Sequence, residues 1–218
     1  LFLYYFFSKF SLQEIISYDF IKNNRDYFFD LKQSNLFLLA TLFFLFTIIW
    51  VLAAGFGSPI AIFGGFIFGK WMGLIVVIFG LSIGSTLLYI FANFFLKELI
   101  KEKFLKKYHS LEIKFKKSEF VYLLVYRFIG GIPFVISNIL PCIFNVKISN
   151  FFWATFIGIL PQIFLICSIG SGLEKIIEKN LEPPKIIDII TSSDIYIPLV
   201  IFACLMIITI VFRKLFYK

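Results

Sequence analysis

Residues 120–146 read FVYLLVYRFIGGIPFVISNILPCIFNV. The stretch is apolar enough to sit in lipid, yet it carries Arg127, Gly130, Gly131, Pro133, Asn138 and Pro141, which a plain spanning helix would avoid. Backbone broken in this way is tolerated at membrane depth only where protein or a watery cavity covers it. An ionisable residue in such a place marks a functional site by default. The stretch therefore reads as a re-entrant hairpin lining the working centre of an all-α polytopic membrane protein.

Composition agrees. The chain has 218 residues and is 60% hydrophobic, with a mean hydropathy of +0.94, well above the apolar fraction of soluble domains. Several apolar runs reach spanning length. Cys142, Cys167 and Cys204 sit singly in apolar segments, and His109 is the one histidine, so neither a metal site nor a disulfide is expected. The net charge of +8 is concentrated in residues 97–117, which hold eight lysines. In a membrane protein that is a topology signal before it is a hint of nucleic acid.

Working outward, four units are expected. Residues 1–35 form an interfacial segment, with a capping box at Ser11–Glu14; an upstream spanning helix is an open alternative, since the first residue is not Met. Residues 36–172 form the membrane core, 173–195 an extracytoplasmic loop, and 196–218 a last span with a basic tail. Spans are expected at 36–54, 71–96, 148–169 and 196–212. Residues 55–69, GFGSPIAIFGGFIFG, hold five glycines and Pro59, too broken and too short for a crossing. A re-entrant dip is the expectation, with an apolar extracytoplasmic loop as the alternative. The lysine-rich segment 97–117 shows apolar residues at helical spacing, as an amphipathic helix on an anionic leaflet would. Placing it in the cytoplasm puts residues 55–70 and the acidic loop 171–195 outside, and the N-terminal segment and the basic tail inside.

The two halves share a grammar. Gly80 and Gly84 follow Pro59 by 21 and 25 residues, and Gly158 and Pro161 follow Pro133 by 25 and 28. Hairpins entering from opposite faces make an inverted repeat, the arrangement transporters use to hold a midplane site.

GGFIFG (64–69), Gly80 and Gly84, YRFIGGIPFVISN (126–138) and TFIGILPQ (155–162), in that order and spacing, resemble the DedA superfamily, whose core is the VTT or SNARE-associated Golgi protein domain. The branch most similar is that of the Tvp Golgi-vesicle proteins and their bacterial relatives. The resemblance covers about residues 11–172. It implies two re-entrant helices facing each other across the bilayer, and it implies lipid movement: of the undecaprenyl-phosphate carrier in bacterial DedA proteins, of phospholipids in eukaryotic relatives. It places Gly65 and Gly69 at the first hairpin turn, Arg127 at the family's arginine, and Pro133, Asn138, Gly158 and Pro161 at family positions. The acidic residues and second arginine of the DedA branch have no counterpart here, which removes support for proton coupling and for undecaprenyl phosphate.

The chemistry expected is recognition rather than bond-breaking. A guanidinium matches a pair of phosphate oxygens, so Arg127 is the residue expected to meet a lipid phosphate, at head-group depth. Its structural alternative is snorkelling or a tie to hairpin carbonyls. Asn138 and Lys70 are the further head-group candidates. Pro59, Gly64, Gly65, Gly69, Gly130, Gly131, Pro133 and Pro141 are expected to shape the hairpins, and Gly80, Gly84, Gly158 and Pro161 to serve helix packing. No motif for an enzyme, a metal or a cofactor is present. The expected function is a multi-pass lipid translocase of a bacterial cell membrane, with membrane lipids and a second copy of the chain as partners and no nucleic acid. The alternatives are an ion-coupled solute transporter and a trafficking scaffold docking through 97–117.

Overall fold

The computed structural model describes residues 18–98, 118–129 and 132–179, together with residues 191, 193, 195–201, 203, 204 and 207. The capping box, Gly130, Gly131, most of the basic segment 97–117, much of the acidic loop and part of the expected last span lie outside the described residues.

Helix α1 runs Tyr18–Leu52 and is interrupted at Asn35 (φ −156°, ψ 78°). The Asn35 Oδ1 accepts the Leu38 N–H at 3.0 Å, satisfying a donor that a new helix start would leave orphaned. Asn35 thus separates a polar helix from the apolar helix 36–52, as the change in composition suggests.

Helix α2, Gly57–Phe95, follows a four-residue turn and is itself folded at Gly69 (φ 78°, ψ 173°). That backbone region is open essentially to glycine alone. On either side of it the chain runs antiparallel: Gly64 packs against Val77, Gly73 against the Gly64 carbonyl, and a Cβ on Gly57 would stand 3.5 Å from Leu81. Within the expected dip at 55–69, residues 57–68 are helical. Pro59 falls in the first turn, where its missing N–H has no intrahelical use. Gly64 and Gly65 are packing glycines inside the helix. A Cβ on Gly65 would collide with the Cys167 carbonyl, and the turn belongs to Gly69 alone.

Register then sets depth. Gly80 packs on Thr47 and Gly84 on Val51, while Phe43 meets Phe68 edge to face at 5.4 Å. Residues 36–52 and 70–95 accordingly run parallel. Leu52 ends level with Ser85, about 15 Å short of Phe95 at ~1.5 Å per residue. By the same rise residues 57–68 separate Gly55 from Lys70 by about 18 Å. The two ends expected together in one outside loop are thus at different levels.

The second half repeats this path. Helix α3 (Glu119–Ile129) leads to a turn, and the chain returns through α4 (Phe134–Ile139) and a 3₁₀ segment (Leu140–Phe144). The limbs are antiparallel: Arg127 meets Ser137 and Asn138 near the turn, and Glu119 meets Lys147 and Asn150 at the base. Asn145 (φ 51°) then stands where Gly69 stands in the first half, and helix α5 (Ile148–Lys179) runs parallel to α3, with Gly158 packed on Arg127.

The long helices run in opposite directions. Trp71 meets Phe164 (5.1 Å), Phe79 meets Phe156 (4.9 Å), and Tyr89 stacks on Phe151 (4.4 Å). Gly170 lets α5 approach the Ile62 carbonyl. A buried cluster around Val51, Leu81 and Ile163 joins the halves, and a second, around Tyr89, Cys142 and Phe151, holds the base of the second hairpin. The Tyr89 hydroxyl donates to the Val146 carbonyl at 2.6 Å. Among the described residues three helices are long and apolar enough to cross a membrane: Gln33–Leu52, Gly57–Phe95 and Ile148–Lys175. Their outward faces are apolar too, with Phe37, Trp71, Phe94 and Phe95 the most exposed. The protein is an all-α, multi-pass membrane protein.

Candidate functional site

The two turns face one another. The first hairpin (36–52 and 57–68) presents Phe56, Gly57 and Ser58, and the second presents Tyr126, Arg127, Ile132, Phe134 and Ser137. Between them is a cavity of about 190 Å³, closed on one side by Ile159, Gln162, Ile163 and Ile166 of α5. These α5 residues are near the middle of that helix, and Leu81, which Gly57 touches, is near the middle of 70–95. The cavity is thus central along both long helices.

Arg127 is the charged residue lining it, and only 4% of its surface is exposed. Its Nη1 donates to Ser137 Oγ at 2.6 Å and its Nη2 to Asn138 Oδ1 at 2.7 Å. Its Cζ stands 5.1 Å from the centre of the Phe151 ring, within the range of a cation–π contact. All three partners are neutral, and Nε has no hydrogen-bond partner. Taking a charge out of water costs several kcal/mol, even after relaxation, unless an opposite charge repays it. The residues around Arg127 reduce that cost without cancelling the charge.

Local packing explains how the guanidinium is held. Gly158 gives α3 room, since a Cβ there would stand 2.6 Å from the Arg127 Cβ. Ser137 Oγ also donates to the Phe134 carbonyl at 2.7 Å, which leaves its lone pairs toward Arg127. Asn138 is fully buried and its Nδ2 is unpartnered. On α5, Thr155 lies between Phe151 and Gly158 on the face that meets Arg127, buried and also unpartnered. Several polar groups are therefore buried without protein partners near one charge, a pattern that ordered water resolves.

The expected site residues sort as follows. Arg127 is in the cavity, central along the long helices of the bundle. Snorkelling is excluded by its burial, and its ties run to side chains instead of carbonyls. Asn138 lies behind Arg127 and outside the lining, as a support for it. Lys70 adjoins the Gly69 turn, at the far end of residues 57–68 from the cavity. Pro133 is the N-cap residue of α4 and Pro141 lies in the first turn of the 3₁₀ segment. Gly80, Gly84 and Gly158 are packing positions, and Pro161 sits inside α5 beside the cavity residue Gln162. Sequence reasoning passed over Ser58, Tyr126, Ser137 and Phe151. A serine beside the flagged asparagine, ten residues from the arginine, is a weak signal, and the Phe151 contact depends on α5 folding back along α3.

A Caenorhabditis elegans protein named Transmembrane protein 41 homolog is 25% identical over 136 residues, covering 59% of this chain and 55% of its own length. The Bacillus subtilis (strain 168) protein named Uncharacterized protein YqeD is 28% identical over 116 residues, covering 52% of this chain and 55% of its own. The chain spans about half the length of these curated relatives. No solved structure matches it. The VTT domain matches residues 55–172, which include Gly57, Ser58, Arg127 and the central part of α5, and on that match the chain belongs to the VTT-domain family.

Proposed function

We propose that this chain is a lipid translocase, in which head groups cross the bilayer through the gap between two re-entrant hairpins while acyl tails stay in lipid. The observation that carries the reading is Arg127: a buried guanidinium with neutral partners, lining a central cavity between two facing turns. A membrane protein that holds an uncompensated charge at its centre pays for it in stability, and a passing phosphate would repay that cost. No carboxylate lines the cavity among the described residues, so the reading favours passive passage over proton-coupled solute transport and involves no bond-breaking.

The reading includes an orientation. With the lysines of 97–117 in the cytoplasm, the Phe95 and Asn145 ends of the structure are cytoplasmic, and the Gly69 and Lys70 end is outside. Residues 36–52 and 57–68 then form one re-entrant hairpin entering from outside, and α3 with α4 forms the other, entering from the cytoplasm. The adjoining helix 18–34, whose charges balance, would lie outside. A bacterial cell membrane suits this arrangement.

The test is reconstitution. Purified protein in vesicles containing a fluorescent phospholipid is exposed to an impermeant quencher. Wild-type protein is expected to make inner-leaflet lipid accessible, Arg127→Ala to abolish this, and Arg127→Lys to restore little of it, because a point charge cannot reproduce the forked contact. Transfer by wild type equal to empty vesicles, or full transfer by Arg127→Ala, would refute the reading.

A further inference from the structure

Helix α2 starts in an unusual way. Phe56, the residue before it, is extended (φ −79°, ψ 144°) and contributes no side-chain cap. The first N–H groups of any α-helix lack intrahelical partners, and Ser, Thr, Asp or Asn normally supplies one. Here the position is taken by an apolar residue whose carbonyl is held by the Trp50 indole N–H at 2.9 Å. Gly57 is nevertheless buried. Gly57 and Ser58 line the same cavity as Arg127, so an uncapped helix start and an unneutralised guanidinium share one space. The helix of residues 57–68 adds roughly half a positive charge at that end. Tyr126 lines the cavity as well, and its hydroxyl is buried without a partner among the described residues. A helix start from one half and an arginine from the other thus line one cavity, and none of the lining side chains is an acid.

We infer that this cavity is a phosphate-binding site built jointly by the two hairpins. The backbone N–H groups of Gly57 and Ser58 hold the anion from the first half, and the Arg127 guanidinium, positioned by Ser137 and Asn138, holds it from the second. Helix starts and arginine forks both take hold of phosphate in proteins, and half-helix starts near the membrane midplane meet anionic substrate groups in transporters. The phosphate is that of a lipid head group or of a free phosphate ester. The inference rests on the translocase reading only for the choice between those sources.

The test uses the full chain in detergent. Its thermal unfolding midpoint is followed on titration with inorganic phosphate and with sn-glycerol 3-phosphate, against sodium chloride at matched ionic strength. A saturable rise with both phosphates, beyond that with chloride, is expected from preferential binding to the folded state. Ser58 is exposed, so Ser58→Asp can be made without disturbing the core. Its carboxylate would sit in the first helical turn, where the dipole favours it, and take the place of the ligand. The variant should unfold at a higher temperature without phosphate and lose the phosphate-dependent rise. Ser58→Asn, of the same size without the charge, should lose much less of it. Arg127→Gln, if it folds, should weaken phosphate binding by about tenfold or more. An undiminished rise in Ser58→Asp, or an equal rise with chloride, would overturn the inference.

Vesicle assays separate it from the function. Phosphate binding lost in Ser58→Asp, with no lipid transfer by wild type, would leave the site standing and remove the translocase. Transfer unaffected by Ser58→Asp, with no phosphate rise in wild type, would do the reverse. Slowing of transfer by added sn-glycerol 3-phosphate would identify the bound group as a lipid head group, and phosphate binding without such slowing would identify it as free phosphate.

Discussion

Gly158→Ala tests how Arg127 is held. The added methyl would stand 2.6 Å from the Arg127 Cβ and 3.2 Å from the Leu124 carbonyl. Two carbons pack comfortably at about 3.8 Å, so α3 and α5 must part by roughly 1.2 Å. The Arg127 contact across that gap is the one with the Phe151 ring of α5, 5.1 Å from Cζ to the ring centre, and a shift of that size takes it beyond about 6 Å, the reach of a cation–π contact. Overpacking of this kind costs about 1–3 kcal/mol, and a misplacement of about 1 Å at a working group can cost on the order of a hundredfold in rate. Gly80→Ala is the matched comparison. Its methyl meets Thr47 at 2.8 Å, giving a similar packing penalty away from Arg127. The assays are thermal unfolding in detergent and lipid transfer in vesicles. The two variants should lose similar stability, and Gly158→Ala should lose at least tenfold more transfer. Equal transfer by both, or wild-type stability in Gly158→Ala, would refute the reasoning.

Two further outcomes follow from single positions. Tyr89→Phe removes the 2.6 Å bond to the Val146 carbonyl and leaves that buried acceptor unpaired, so it should lower stability by about 1–3 kcal/mol while preserving the stacking on Phe151, as chemical unfolding would measure. Gly69→Ala meets no neighbouring atom, yet it should cost about 1–3 kcal/mol because its φ of 78° suits glycine; replacement by a D-alanine through chemical synthesis should recover most of that loss.

The sequence was most legible where chemistry and membrane depth conflict. Arg127, Pro133 and Asn138 in an apolar run pointed to a hairpin, and the structure brings Arg127 and Asn138 together across its turn. The first half hid a second pairing, since residues 57–68 lie antiparallel to 36–52 as well as to 70–95. Glycine-rich sequence looked like broken helix, but Gly64 and Gly65 are small because Val77 and Cys167 press against them, and that pressure comes from residues distant in sequence. Depth was the other hidden quantity. Residues 36–52 have the length and composition of a full crossing, and only their register against Gly80 and Gly84 shows that they end at the level of Ser85. The cavity was half legible: a lone arginine can be seen in a sequence, whereas the helix start opposite it is a backbone feature that no residue type announces.

The indole of Trp50, hydrogen-bonded to the Phe56 carbonyl, has a spectroscopic consequence. The chain contains three tryptophans, and the other two, Trp71 and Trp153, face outward with 64% and 51% of their surfaces exposed. Converting those two to phenylalanine leaves a single tryptophan, excited selectively over the tyrosines at long wavelength and anchored at the first turn. Its emission wavelength and its quenching by lipid-borne bromine would then report the immersion depth and wetting of that turn in real time, without an attached dye.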